Sequence, residues 1–236
     1  MRIGPGCTLA AVLLSLAGSA FPQTALTGTI SGQVIGTDAR PLMAGIVANG
    51  VGGARASGRA QSDKTGSFTI RNLPAGTYML CADVPGGGYL DPCAWESVLP
   101  TAQVNAGQTT AGYRLLLKQG GRLQVRVNDP AGLLVPAAAA RPASNQVVPH
   151  ILIGVMTARR LFQPLEVVST DAAGRTQERT VPFNTPVVLH VRGNGVQVKD
   201  DKGADMALAG GVSTVSVAAN APATTITFTV SNAVKP

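Results

Sequence analysis

Two cysteines, two histidines, one acidic run and a pair of aromatics are the residues of this 236-residue chain whose types and spacing could do chemistry. Cys81 and Cys93 bracket Ala82-Asp-Val-Pro-Gly-Gly-Gly-Tyr-Leu-Asp-Pro92. Such a pair can close as a disulfide or hold a metal. Two thiolates with no His nearby make a poor zinc site, whereas an even pair in an exported chain reads as a disulfide. Closing a loop of about a dozen residues is worth roughly 3 kcal/mol in the chain-entropy description. Three consecutive glycines leave the open loop with much entropy to lose. A Cys81–Cys93 bond is therefore expected, with no metal site and no cofactor.

The other groups give little purchase for catalysis. His150 and His190 lie in apolar, strand-like contexts, Pro149-His-Ile-Leu and Leu189-His-Val, where a His alternating out of a strand is a surface or satisfied residue. The zinc-protease His-Glu-x-x-His, the Gly-x-Ser-x-Gly elbow and the phosphate-binding loop are all missing from the sequence. Gly86-Gly-Gly88 is not followed by Lys-Ser/Thr or by a helical pattern. Asp200-Asp-Lys-Gly-Ala-Asp205 departs from the EF-hand spacing and reads as a polar hairpin turn. No catalytic residue is assigned and the chain is not expected to be an enzyme. Tyr89 and Trp95, the latter the only Trp, form the candidate contact surface. Aromatics on a stapled loop can stack on sugars or grip a partner protein. The alternative is that Trp95 packs over a sheet edge against the cystine.

The elements that must position these groups are strands. Ile30 and Val34 fall on one face, Phe68 alternates with Ile70, Tyr78 with Leu80 and Ala82, and Tyr113 with Leu115 and Leu117. Gly, Pro, Asn or Asp bounds each run. Asp63-Lys-Thr-Gly66 fits a reversal in which Asp caps the backbone and Gly takes positive φ, and Pro74-Ala-Gly76 is similar. Gly, Pro, Thr and Val are plentiful, and charged residues make up only 13%. This composition favours short strands and turns, with no sustained helical period past the N-terminus.

These residues carry a resemblance. Ile30-Ser-Gly-Gln-Val34, the Asp63-x-x-Gly66 turn, Leu73-Pro-Ala-Gly-Thr-Tyr78 and Ala106-Gly-Gln-Thr109 together resemble the carboxypeptidase regulatory-like domain of secreted bacterial proteins, over roughly Thr29 to Lys118. The resemblance implies a transthyretin-like sandwich that serves as an accessory or adhesive module without catalysis. The second half holds a fainter copy. Asp171, Gly174, Val181, Pro182 and Thr185 stand at one constant offset from Asp63, Gly66, Leu73, Pro74 and Thr77, with Asn184 in the place of Gly76. Phe68 aligns with Thr176, Ile70 with Glu178 and Tyr78 with Pro186, so a divergent repeat and an unrelated β domain both remain open. Later strands are expected at 151–155, 165–169, 187–191, 196–199, 213–218 and 224–231, and 135–146 reads as a loop. The expected architecture is all-β: tandem Ig-like or transthyretin-like antiparallel β-sandwiches at 27–118 and 121–236, joined by a short hinge at Lys118-Gln-Gly-Gly121.

The N-terminus reads as an export signal at 1–20: Arg2, an apolar run from Thr8 to Ala17, then small residues Gly18-Ser-Ala20. Cys7 would be lost with it. The run is too short for a permanent span, and no later segment is long and apolar enough to form one. The net charge of +7 is scattered, with Arg159-Arg160 the only adjacent basic pair. Nucleic-acid binders concentrate charge into stripes with interleaved aromatics, so nucleic acid is not expected as a partner. The expected function is a non-catalytic binding or structural module, exported to the periplasm, cell surface or extracellular space, with an unidentified protein as partner. The alternative is a carbohydrate-binding module acting on a surface polysaccharide.

Overall fold

The computed structural model describes residues 26–53, 56–134, 149–206, 211–221 and 223–231. The export signal at 1–20, Cys7 and the loop expected at 135–146 lie outside the described residues.

The first half folds as two facing sheets. In one, β1 (Gly28–Gly36) runs between β4 (Ser67–Leu73), antiparallel to it, and β7 (Thr109–Leu117), parallel to it. The other has the order β3 (Ser57–Gln61), β2 (Gly45–Val51), β5 (Gly76–Asp83), β6 (Thr101–Val104), all antiparallel. The inward residues are those of the expected alternation: Ile30, Val34, Phe68, Ile70, Tyr78, Leu80, Leu115 and Leu117 are all buried. Tyr78 is wholly buried, and its hydroxyl donates to the Pro74 carbonyl at 2.8 Å. Asp63 Oδ1 accepts from the amides of Thr65 (2.8 Å) and Ser67 (3.0 Å). Gly66 takes φ +78°, and a Cβ there would stand 2.4 Å from the Val34 carbonyl oxygen. That reversal requires glycine.

The second half repeats the plan around its own core. Here β8 (Gly121–Asn128) lies between β12 (Gly174–Val181), antiparallel, and β17 (Thr224–Ser231), parallel. The facing sheet has the order β10 (Phe162–Pro164), β9 (His150–Met156), β13 (Val187–Asn194), β16 (Gly211–Val215). Two additions widen the first sheet: β11 (Glu166–Asp171) beyond β12, and β14 (Gln197–Lys199) with β15 (Asp205–Met206) beyond β17. Leu123, Val125, Val127, Ile153, Val155, Leu189 and Phe228 fill the space between the sheets.

The added strand explains why the internal copy is faint in sequence. Asp63–Gly66 leads from β3 in one sheet to β4 in the other, whereas Asp171–Gly174 turns a hairpin between β11 and β12 within one sheet. Residues before the turn therefore face different surroundings. The strand expected at 165–169 begins one residue later, and every residue of β11 is exposed, while Leu165 stays in the core.

Candidate functional site

The interior strand β5 carries Cys81 and Asp83 at its C-terminal end, and the chain then leaves the sheet as Val84-Pro-Gly-Gly-Gly-Tyr-Leu-Asp91. The glycines take φ +84°, +73° and +90°, a run of left-handed backbone that side chains would resist. The chain returns through a single helical turn, α1 (Pro92–Trp95). Asp91 caps it, its side chain accepting from the Cys93 amide at 2.9 Å and from the Ala82 amide at 3.4 Å. Pro92 occupies the first turn, where no amide is needed. Cys81 and Cys93 are bonded, with Cα atoms 5.2 Å apart. Burial pushes the Asp91 carboxyl above its ordinary value, against the two amide hydrogen bonds that pull it down.

The stapled loop lies against the second sandwich. The Gly88 amide donates to Thr180 Oγ1 at 3.1 Å, Arg122 Nη2 reaches the Gly86 carbonyl at 3.4 Å, and Gly120 donates to the Gly88 carbonyl at 3.0 Å. Leu90 donates to the Lys118 carbonyl at 2.9 Å. The Gly120-Gly121 pair answers to crowding. A Cβ on Gly120 would stand 2.6 Å from Leu90 Cδ2, and one on Gly121 would stand 2.3 Å from Val217 Cγ1.

The two aromatics serve opposite sides of this junction. The Tyr89 hydroxyl donates to Asp38 Oδ2 at 3.0 Å, Gln119 Nε2 donates to the same oxygen at 3.0 Å, and Arg40 pairs with it at 3.4 Å. Desolvation raises the Asp38 carboxyl, but the hydrogen bonds from Tyr89 and the Arg40 amide outweigh it, so the group sits below its ordinary value. Desolvation and the Asp38 bond raise the Tyr89 phenol. Gly36 makes room for the Tyr89 ring, since a Cβ there would approach Cε1 to 2.7 Å. Trp95 is half-buried and packs against the core of the second sandwich.

Between loop and second sandwich lies a cavity of about 240 Å³, walled by Tyr89, Trp95 and the Gly86-Gly87 backbone. Asp83, Asp91, Glu166 and Glu178 bring four carboxylates to it against one guanidinium, Arg179. Most of these groups are engaged. Glu178 pairs with Arg122 at 3.7 Å, Arg179 lies 4.0 Å from Glu166 and donates to the Pro164 carbonyl, and Asp91 is a helix cap. Cys81, Asp91 and Cys93 place ligand atoms within 4.8 Å of one another. Both sulfurs are committed to each other, which leaves one carboxylate.

The remaining candidates lie elsewhere. His150 and His190 both project from the outer face of the β9–β13 pair, where His150 is opposite Asn194 and His190 opposite Gly154. That register separates them by four residues along the strand, about 13 Å, too far to share a proton. The acidic run 200–205 is the β14–β15 hairpin turn: Asp200 Oδ1 accepts from the amides of Lys202 (2.9 Å) and Ala204 (2.8 Å), with Gly203 at φ +80°. Among the described residues no helix is long and apolar enough to cross a membrane.

Sequence reasoning missed that Asp38, Gln119 and Thr180 belong to this junction. Asp38 and Gln119 come from turns and links far from Tyr89 in the chain, and nothing in their local pattern marks them. Gly36 was the available signal, a glycine at the end of a strand pattern that can mark a close approach.

No family model matches the chain, and no curated protein matches it either. Among solved structures it is similar to a Bacillus anthracis TIE protein (12% identity, TM-score 0.33), covering 86% of this chain and 34% of that one. It is similar to a Streptococcal ancillary pilin (13% identity, TM-score 0.38), covering 86% and 63%. A DUF3823 family protein from Bacteroides ovatus is a third (14% identity, TM-score 0.30), covering 81% and 98%. The chain spans about a third of the first and under two thirds of the second. Likeness at this level carries no argument about activity.

Proposed function

We propose that this chain is a stiff, non-catalytic exported module that binds or builds surface assemblies. One observation carries the reading: the Cys81–Cys93 loop wedges between two sandwiches, with Tyr89 anchored to the first through Asp38 and Trp95 packed on the core of the second. A loop of this kind transmits orientation between two β units. In this reading 27–118 is a carboxypeptidase regulatory-like unit and 121–236 a divergent repeat, a relation supported by the shared strand order. The cystine and the signal-like first twenty residues support export.

The described residues bring no nucleophile, base and oxyanion donors together. The half-burial of both aromatics favours a structural contact over a flat sugar-stacking platform, although both do line one cavity. The test pairs two assays on the purified oxidised chain. Peptide, ester and glycoside substrates should not turn over, and polysaccharide retardation in affinity electrophoresis should be unchanged by Trp95→Ala. Turnover lost in His150→Ala or His190→Ala would overturn the non-catalytic reading. Polysaccharide retardation abolished by Trp95→Ala would replace it with the carbohydrate-binding one.

A further inference from the structure

The outer face of the β10-β9-β13-β16 sheet brings arginines, histidines and exposed apolar side chains together. No Asp or Glu occurs in any of its four strands or in the turn Thr157-Ala-Arg-Arg-Leu161 that joins β9 to β10. The same stretches hold Arg159, Arg160, Arg192 and both histidines. Alternation sends Ile151, Ile153, Val155, Leu189 and Val191 into the core, so their neighbours Leu152, Met156, His190 and Arg192 face outward.

Register places these neighbours side by side. Leu152 is opposite Arg192, Met156 opposite Phe162, and Val212 opposite His190. Leu152, Phe162 and Val212 are 42%, 38% and 56% exposed, large apolar side chains left uncovered on one face. Gly154 is what lets the Phe162 ring lie across the sheet, because a Cβ there would stand 2.3 Å from Phe162 Cζ. The ring meets His190 edge-on, with centroids 6.5 Å apart.

These side chains line a cavity of about 410 Å³, with Leu152, Met156 and Phe162 as its apolar lining and Arg160, His190 and Arg192 as its polar lining. The resolved ion pairs of the described residues engage neither guanidinium. Arg160 is held in the left-handed region at φ +58°, at the tight end of the β9–β10 turn, where the Thr157 carbonyl accepts its amide.

We infer that this cavity binds an amphipathic organic anion, a molecule with an aliphatic or aromatic body and one carboxylate or phosphate. The body lies on Phe162, Met156 and Leu152, and the anionic head pairs with the guanidinium groups of Arg160 and Arg192 that line the same cavity. Charge complementarity selects this class. Arg160 and Arg192 are exposed and outside the ion pairs of the described residues, so they are available for charge-assisted hydrogen bonds that an anion accepts and a neutral apolar ligand does not, and a cation would be repelled on a face whose strands hold no carboxylate. At roughly 30 Å³ per non-hydrogen atom the cavity has room for about a dozen such atoms. Most ligand sites are likewise apolar with a few convergent polar groups.

The experiment titrates the full chain with decanoate, 1-decanol and decyltrimethylammonium by calorimetry at low salt. Decanoate should bind at one site per chain, with the alcohol and the cation at least tenfold weaker. Arg160→Gln and Arg192→Gln should each weaken decanoate about tenfold, Phe162→Ala should weaken it further, and Arg114→Gln on the other sandwich should leave it unchanged. All four variants should keep the parent melting temperature within a few degrees, which excludes misfolding as the cause. Equal binding of decanol, decanoate binding untouched by both Arg substitutions, or no saturable decanoate binding would each overturn the assignment.

Discussion

Removing the Cys81–Cys93 bond perturbs the loop, the cavity and the junction together. The bridge spans a separation of 12 residues. In the chain-entropy description, opening a loop of that size returns about 9–10 cal/mol/K to the unfolded chain, or about 3 kcal/mol at 25 °C. For a unit of 60–100 residues, 1 kcal/mol moves Tm by roughly 4–8 °C, so the loss should be roughly 12–24 °C. The double variant Cys81→Ala/Cys93→Ala avoids leaving a hydroxyl in the buried site of Cys93, and reduction of the unaltered chain serves as the parallel arm. The structure adds a second consequence. Trp95 sits two residues beyond Cys93 on the same helical turn and packs on the second core, so the damage should not stop at the first sandwich. As the only Trp, its emission should shift to the red well below the melting transition. The assay is thermal melting by circular dichroism and Trp emission, with alkylation and mass measurement to count free thiols. A Tm unchanged in a chain shown to be fully reduced would refute the argument. It would mean that the Asp91 cap and the Gly88–Gly120 contacts hold the loop alone.

Other perturbations read separate parts of the account. Asp91 has a raised carboxyl in the fold, so the parent loses stability as pH rises through that folded value above 3.8; Asp91→Asn, which keeps a capping oxygen, should gain over the parent as pH rises from 3 to 7 in denaturant melts, whereas Asp91→Ala should cost about 1 kcal/mol. Asp171 is lowered to about 2 by its bidentate pairing with Arg126, so its contribution is present above 3.8 and lost as pH falls through about 2; Asp171→Asn should be less stable than the parent throughout the range above 3.8, and the difference should vanish as pH falls toward 2. Tyr78→Phe should cost about 1 kcal/mol in urea unfolding, because the Pro74 carbonyl loses its hydroxyl donor; no change would show that water replaces it.

The strands that carry strict alternation and tight turns are legible in the sequence itself. Phe68–Ile70, Tyr78–Ala82 and Tyr113–Leu117 present period-two patterns bounded by Asp, Gly and Pro, and their facing directions are as expected. The disulfide followed from chain context. Several strands were not legible. β2 reads Gly-Ile-Val-Ala-Asn-Gly-Val and β3 Ser-Gly-Arg-Ala-Gln, where glycines and alanines blur the alternation. A Cβ on Gly58 would stand 2.5 Å from Ile70 Cγ2, so packing in the facing sheet selects glycine there over any β-former. β10 is three residues ending in Pro164, too short for a periodic signal. Parallel pairing of β1 with β7 and of β8 with β17 joins segments far apart in sequence and leaves no local trace. The junction was the least visible part. Trp95 and Tyr89 stood out as aromatics, but the loop's partners lie some fifty or more positions away: Asp38 for Tyr89 and Thr180 for Gly88.

The claim that the stapled loop makes one stiff body of two sandwiches is tested most directly by residual dipolar couplings of backbone amides in the oxidised chain, weakly aligned in solution. The account predicts that couplings from β1–β7 and from β8–β17 fit one common alignment tensor, and that reduction of Cys81–Cys93 splits them into two tensors of different magnitude. Two tensors in the oxidised chain would contradict the account, because the sandwiches would then move independently despite the loop between them.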